Sequence, residues 1–294
     1  MQKITPFLWF NNETEEAATF YTSAFDNAKI GSVRRYGDAG PGPKGTVMTL
    51  SFQLEGMSFA ALNGGPQFAF TAAFSFFETC RTEPEVDALW AKLSDHGKVL
   101  MELGKHPFSE KFGWVSDRFG LSWQLNLAGG EKRIAPFLMF VGKQHGKAEE
   151  ALKFYVSLFE GSRIAQIERY GKGQGEAEGP VMHARFSLAG QEFMALDSNR
   201  EHAFSFTPAV SLFVDCKTQE EVDELWERLS AGGKKGQCGW LEDKYGVSWQ
   251  IVPTVLGTLL GDPDPARSRR VMQAMLTMKK FDIGKLQEAS RGEA

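Results

Sequence analysis

Three cysteines in 294 residues are too few, and odd in number, for a disulfide-held scaffold. Cys80 and Cys216 occupy matching places in a repeat, so they belong to the same spot of two separate domains and do not face one another. Sparse cysteine points to a reducing compartment, and a cytoplasmic location is expected. Positive charge is not in excess either. The formal net charge is −4, and no Lys/Arg cluster stands clear of balancing acids, which argues against a nucleic-acid partner. No apolar run approaches the length of a membrane span, and the chain opens directly on strand-like sequence. Neither a membrane partner nor a signal peptide is expected. The five histidines include no i,i+2 or i,i+4 pair.

What the chain does have is a second copy of itself. Ile4-Thr5-Pro6-Phe7-Leu8-Trp9-Phe10 returns as Ile134-Ala135-Pro136-Phe137-Leu138-Met139-Phe140, and Ser122-Trp123-Gln124 returns as Ser248-Trp249-Gln250. The spacing is 130 for Phe7 to Phe137, 134 for Tyr36 to Tyr170, 136 for Cys80 to Cys216 and 126 for Trp123 to Trp249. A repeat this long is a duplicated globular domain. With 42% hydrophobic residues, each copy can bury its own core.

Within one copy, residues 4–10 read as an apolar strand. Asn12 with Glu15 reads as a capping box that starts a helix carrying Ala17, Phe20, Tyr21, Ala24 and Phe25 at helical spacing. A strand at Lys29–Tyr36, a glycine-rich loop at Gly37–Gly45 and a hairpin of Thr46–Leu54 with Met57–Leu62 follow. The order then recurs: a strand at Phe74–Thr79, a helix capped by Thr82 and Glu85, and strands near Val99–Leu103, Phe112–Ser116 and Leu121–Leu127. Four βαβββ units result, two per copy. The expected division is a first domain at 1–127, a linker at 128–133, a second domain at 134–254 and a C-terminal helical tail at 255–294. In the tail, Asp264-Pro265 starts a helix whose apolar face holds Val271, Met272, Met275, Leu276 and Met278. That helix docks on the domains, crosses a homodimer contact, or gates a cleft.

The Pro6-Phe7-Leu8-Trp9-Phe10 strand, Phe20-Tyr21, Val181-Met182-His183-Ala184, Phe119-Gly120-Leu121-Ser122-Trp123-Gln124 and the closing Asp264–Lys280 carry a family resemblance. The chain resembles the PhnB-like branch of the vicinal-oxygen-chelate (glyoxalase/bleomycin-resistance) superfamily over nearly its whole length. The resemblance implies an α+β fold of two tandem domains, each of two βαβββ units forming a curved sheet around a cleft, with helices on the convex side. The family also carries a methyltransferase label for a ubiquinone precursor.

In metal-dependent members of the resembled superfamily, four strand positions converge on one cation and are usually His, Glu or Gln. Here those positions map to Thr5 and about Phe74, with Ala61 and Gln124, in copy one. In copy two they map to Ala135 and about Val210, with Ala195 and Gln250. Only the glutamines could coordinate, and neutral amides alone do not hold a divalent ion. No metal and no cofactor is expected. Gly37–Gly45 and Gly171–Gly179 precede no helix, which argues against a nucleotide or S-adenosylmethionine site of Rossmann type. Asp117 and Asp243 precede turns and read as structural.

Strand alternation then sorts what faces each cleft. Copy one offers Glu78, Gln124, Thr49 and Ser51 among Phe7, Trp9 and Phe76. Copy two offers His183, Arg185 and Gln250 beside Phe137, Met139 and Leu212. Aromatic walls with a few convergent polar groups suit a small-molecule ligand. His183 is the candidate acid or base because imidazole titrates near neutrality. Arg185, on the same side of its strand, is placed to hold a carboxylate or phosphonate, with Gln250, Phe137, Met139, Gln124, Glu78, Thr49 and Trp9 as further ligand contacts. The leading function is metal-independent binding of a small molecule, with sequestration and catalysis both open. A metal-dependent lyase or dioxygenase, and the methyltransferase label, are the alternatives.

Overall fold

Between Leu54 and Met57 the chain reverses in two residues, Glu55 at φ 45° and Gly56 at φ 84°. Two successive left-handed residues make the turn whose twist matches that of the flanking strands. Ala189 and Gly190, at φ 48° and 83°, repeat it in the second copy. A computed structural model describes residues 2–37, 42–130, 132–171, 179–198 and 200–293. Residues 38–41 and 172–178, the middles of the two glycine-rich loops, lie outside the described residues.

The first unit comprises β1 (Ile4–Phe10), α1 (Thr14–Ala24), β2 (Lys29–Arg35), β3 (Val47–Leu54) and β4 (Met57–Asn63). The second comprises β5 (Phe74–Cys80), α2 (Glu83–Ser94), β6 (Lys98–His106), β7 (Ser109–Ser116) and β8 (Ser122–Leu127). In the second copy the third unit has β9 (Arg133–Val141), a 3-10 turn at Gly142–Gln144, α3 (Ala148–Val156), β10 (Arg163–Arg169), β11 (Val181–Leu188) and β12 (Gln191–Ser198). The fourth has β13 (Val210–Cys216), α4 (Gln219–Ser230), β14 (Lys234–Lys235), β15 (Trp240–Glu242) and β16 (Ser248–Pro253).

The helix starts separate local from tertiary capping. At α2 the Thr82 hydroxyl accepts from the Glu85 N–H while Glu85 accepts from the Thr82 N–H, the full capping box. At α1 the box expected of Asn12 and Glu15 does not form. There the Thr14 N–H donates instead to Asn63 Oδ1 on β4, at 3.0 Å. Asp197 does the same for Ala148 at the start of α3, at 3.1 Å. A strand side chain 49 residues downstream satisfies the helix end that no local residue reaches.

The α+β class and the pair of curved eight-stranded sheets agree with expectation, but the pairing of units crosses the copies. The first sheet runs β14-β15-β16-β13-β1-β4-β3-β2, and the second runs β10-β11-β12-β9-β5-β8-β7-β6. Each sheet therefore takes one unit from each copy, joined where β1 lies antiparallel to β13 and β5 antiparallel to β9. Alternation could not foresee this, because pairing within a copy and pairing between copies bury the same strand faces.

The outward faces of both sheets pack on the helices and on each other. Phe59 of the first sheet meets Phe76 of the second at 5.1 Å between ring centroids, and Trp123, Trp249, Tyr21 and Tyr155 are fully buried. No helix of the described residues is long and apolar enough to cross a membrane.

The tail forms three helices rather than one: α5 (Thr254–Leu260), α6 (Pro265–Thr277) and α7 (Ile283–Arg291). Asp264 caps α6 as the sequence suggested, accepting from the Ala266 N–H at 2.8 Å. The segment between α6 and α7 is clamped on the fourth unit: Cys238 and Gly239 donate to the carbonyls of Met278 and Lys279, and Gln219 bonds Phe281 and Ile283. At its other end, α5 reaches Arg34 on β2, whose guanidinium donates to the Gly257 carbonyl at 2.9 Å. α5 thus follows β16 directly and bonds the far edge strand β2 of the same sheet. The tail thus docks on the fourth unit and on β2.

Candidate functional site

Concave positions follow from register. On β9 they are Arg133, Ala135, Phe137 and Met139, and on β11 they are His183 and Arg185. On β5 the phase is one residue from that expected. Phe77 lies 6.2 Å from Phe137 across the concave face, whereas Phe76 lies 5.4 Å from Trp123 in the helix-covered core. Ser75, Phe77 and Thr79 therefore face the cleft, and Glu78 faces away from it. The strand carries aromatics on both faces, so alternation alone gave no phase.

Across-copy pairing also regroups the candidates. His183, Arg185, Phe137 and Met139 share the second sheet with Gln124, not with Gln250. Thr49, Trp9 and Gln250 share the first. The first cleft is filled by its own aromatics: Phe7 against Phe213 and Trp240, each at 6.1 Å, and Trp9 against Trp240 at 5.9 Å and Phe68 at 5.0 Å. The Trp9 indole N–H donates to the Gly65 carbonyl, fixing the ring. Thr49 pairs in register with Arg34, whose guanidinium bonds the Gly257 carbonyl of α5.

The second cleft holds a cavity of about 410 Å³ lined by His183, Arg185, Arg133, Thr79, Asn126, Phe77 and Met194, with Ala128–Gly130 at its rim. Its floor is apolar, with Ala135, Phe137 and Met194 buried against Phe77 and Leu196. Arg185 is not a lone cation. Its Nε and Nη2 bond Glu192 Oε1 at 2.8 and 2.6 Å, and Arg133 Nη1 reaches Glu192 Oε2 at 3.0 Å. One carboxylate thus aligns two guanidiniums, a trio of formal charge +1. Burial holds the His183 pKa below its ordinary value, and nearby Arg185 adds to the effect, against Glu168 and Glu192. That direction favours the neutral imidazole. Arg133 and Glu192 were not among the sequence candidates. Arg133 fell in the expected linker, although stepping back by twos from Phe137 puts it on the cleft face.

The match to known proteins follows this geometry. A family profile described as 3-demethylubiquinone-9 3-methyltransferase matches residues 2–126 and again 132–252. The chain belongs to that family. A Bacillus cereus PhnB protein, a candidate 3-demethylubiquinone-9 3-methyltransferase by description, is 49% identical over 43% of this chain and 100% of its own, with a TM-score of 0.42. Maize (Zea mays) glyoxalase I shares the fold at 12% identity, over 83% of this chain and 89% of its own, with a TM-score of 0.55. A Bacillus subtilis protein described as a candidate dioxygenase does so at 13% identity, over 84% of both chains, with a TM-score of 0.50. Comparison with curated proteins finds no match.

The superfamily fold raises the question of a metal, and the donors present do not fit one. In the second cleft Gln124 Nε2 donates to Ser75 Oγ at 2.7 Å, and in the first Gln250 Nε2 donates to Ser211 Oγ at 2.9 Å. Each glutamine is buried and bonded to a serine, a neutral pair. Among the described residues no group of three or more His, Cys, Asp or Glu is placed to hold a metal ion. The same serine–glutamine bond in both copies reads as a structural link between adjacent strands.

Proposed function

We propose that the second cleft binds a small organic anion with an apolar or aromatic body. The carrying observation is the convergence of Arg133, Arg185 and His183 on one cavity whose floor is Phe77, Phe137 and Met194. Guanidiniums aligned by a shared carboxylate present their remaining N–H groups to a carboxylate, phosphate or phosphonate. His183, beside them, is positioned in its unprotonated form to accept a proton from the bound molecule, so the cleft supports catalysis as well as sequestration. Cytoplasmic action is consistent with three free thiols at Cys80, Cys216 and Cys238.

The family description raises methyl transfer as a second reading. Among the described residues, the junctions from β1, β5 and β13 into α1, α2 and α4 are closed by side-chain or strand caps, with no glycine-rich turn to cradle a nucleotide-like donor. A lyase or dioxygenase reading would need a metal that the serine–glutamine pairs do not support.

Titration calorimetry of the full chain with aryl carboxylates and aryl phosphonates tests the reading. Wild type should bind at least one class saturably. Arg133→Ala and Arg185→Ala should weaken it by about 1–3 kcal/mol each, the worth of a charge-assisted bond. Equal affinity in both variants would remove the anion site.

A further inference from the structure

On the helix-covered side of β5 lies a cavity of about 250 Å³ that the cleft does not use. Four carboxylates line it, those of Asp26, Glu55, Glu78 and Glu85. Lys132 serves three of them, at 2.5 Å from Asp26, 3.7 Å from Glu85 and 4.0 Å from Glu55; Lys92 also lines the cavity, and Arg81 pairs with Glu85 at 3.2 Å, so the acids exceed the bases by one. Glu78 is left over. It is 1% exposed, lines the cavity, and its Oε2 has no hydrogen-bond partner among the described residues. A buried carboxyl oxygen without a partner is costly, so its retention calls for a reason.

The second copy shows that the fold does not supply that reason. Where the first copy has Glu55, Glu78 and Lys132, the second has Ala189, Val214 and Gln2, while Cys80 and Glu85 keep their counterparts Cys216 and Glu221. Val214 is fully buried and Ala189 closes the same two-residue turn as Glu55. The same architecture is thus completed without a charge at any of the three positions. The apolar wall of the cavity comes from Phe25 and Leu89.

We propose that this cavity binds a primary alkylammonium ion of a few carbons. Its ammonium group meets Glu78 and Glu55, and its chain lies on Phe25 and Leu89. An ammonium brings three N–H donors and one positive charge, which answers the leftover acceptor and the excess of carboxylates together. A bare metal ion fits less well, since no metal-holding cluster is present among the described residues and half the lining is hydrocarbon. Burial pushes the Cys80 thiol up to about 12, so the sulfur stays a neutral part of the wall.

Titration of the full chain with n-butylammonium chloride, at constant ionic strength, tests this, with n-butanol and potassium chloride as neutral and bare-cation controls. The expected result is saturable one-to-one binding of butylammonium alone. Glu78→Gln should weaken it at least tenfold, and Arg185→Ala should leave it unchanged. The Glu78→Val, Glu55→Ala, Lys132→Gln variant, which carries the second copy's uncharged set, should fold and bind nothing. Absence of saturable binding in wild type, equal affinity in Glu78→Gln, or equal uptake of butanol or potassium would each overturn the assignment.

Discussion

The Tyr21 hydroxyl donates to Asp117 Oδ2 at 2.8 Å, tying a helix packed on the first sheet to a turn of the second. Asp117 also accepts from the Trp123 indole and from the Phe119 and Leu121 N–H groups. The second copy rebuilds the set around Asp243, with Tyr155 at 2.7 Å, Trp249, Tyr245 and Val247. Tyr21→Phe and Tyr155→Phe should each cost about 1–3 kcal/mol in urea unfolding, because each leaves a buried acceptor one donor short. A cost near zero for either would mean that water replaces the hydroxyl.

The same carboxylates give a pH signature. Burial raises Asp117 and Asp243 from 3.8 to about 6, against the hydrogen bonds that lower them. A carboxyl whose folded pKa is raised stabilises most below its unfolded value and loses that contribution as pH climbs through the folded one. Relative to Asp117→Asn, wild type should lose on the order of 2–3 kcal/mol between about pH 4 and pH 6. Urea titrations across that range would show it. A wild type that instead gained relative stability as pH rose would reverse the argument.

His183 supplies a spectroscopic check on the cleft. Its imidazole should titrate below 6.5 by nuclear magnetic resonance, and Arg185→Ala should move the midpoint upward by removing a neighbouring positive charge. The same replacement should weaken binding of the anionic probe, whereas Thr49→Ala, in the aromatic-filled first cleft, should not. A midpoint above 6.5 in wild type would show the imidazole to be more solvated than its place beside Phe137 implies.

Removing the tail's anchor should be expensive. Phe281 is 1% exposed and packs so closely on Gly239 that a Cβ there would meet the ring at 2.7 Å. Phe281→Ala should cost about 3–5 kcal/mol, as for other fully buried aromatics. A loss under about 1 kcal/mol would show that the tail helices contribute little to the fold.

The elements were legible because their signals are local. Thr82 and Glu85 cap α2 from three residues apart, and the Leu54–Met57 turn is written in two. The helix start at Thr14 was misread because its cap, Asn63, comes from a strand that only the folded sheet brings near. Glu78 was assigned to the wrong face because Phe74, Phe76 and Phe77 put aromatics on both sides of β5. The copies held the missing clue: Ser75 and Gln124 recur as Ser211 and Gln250, whereas Glu78 becomes Val214, so the invariant serine marks the inward phase. His183 and Arg185 were legible as neighbours on one strand. Glu192, which aligns Arg185, was not, because it lies on the next strand and its pairing is set by sheet register.

Across-copy pairing carries a consequence for the chain's continuity. Residues 2–130 contribute one unit to each sheet, and residues 132–293 contribute the other. The two halves meet along β1 with β13 and along β5 with β9, two antiparallel strand pairs with apolar faces on both sides. Each half alone would leave two long hydrophobic edge strands unpaired, which native sheets avoid. The halves expressed as separate chains should therefore assemble into a stable one-to-one complex that co-elutes in size-exclusion chromatography. Cleavage of the intact protein at the exposed Gly129-Gly130 step should likewise leave the fragments together under native conditions. Two soluble, non-interacting fragments would mean that each copy closes a sheet on itself, and the grouping of His183 and Arg185 with Phe77 and Gln124 would fall with the pairing.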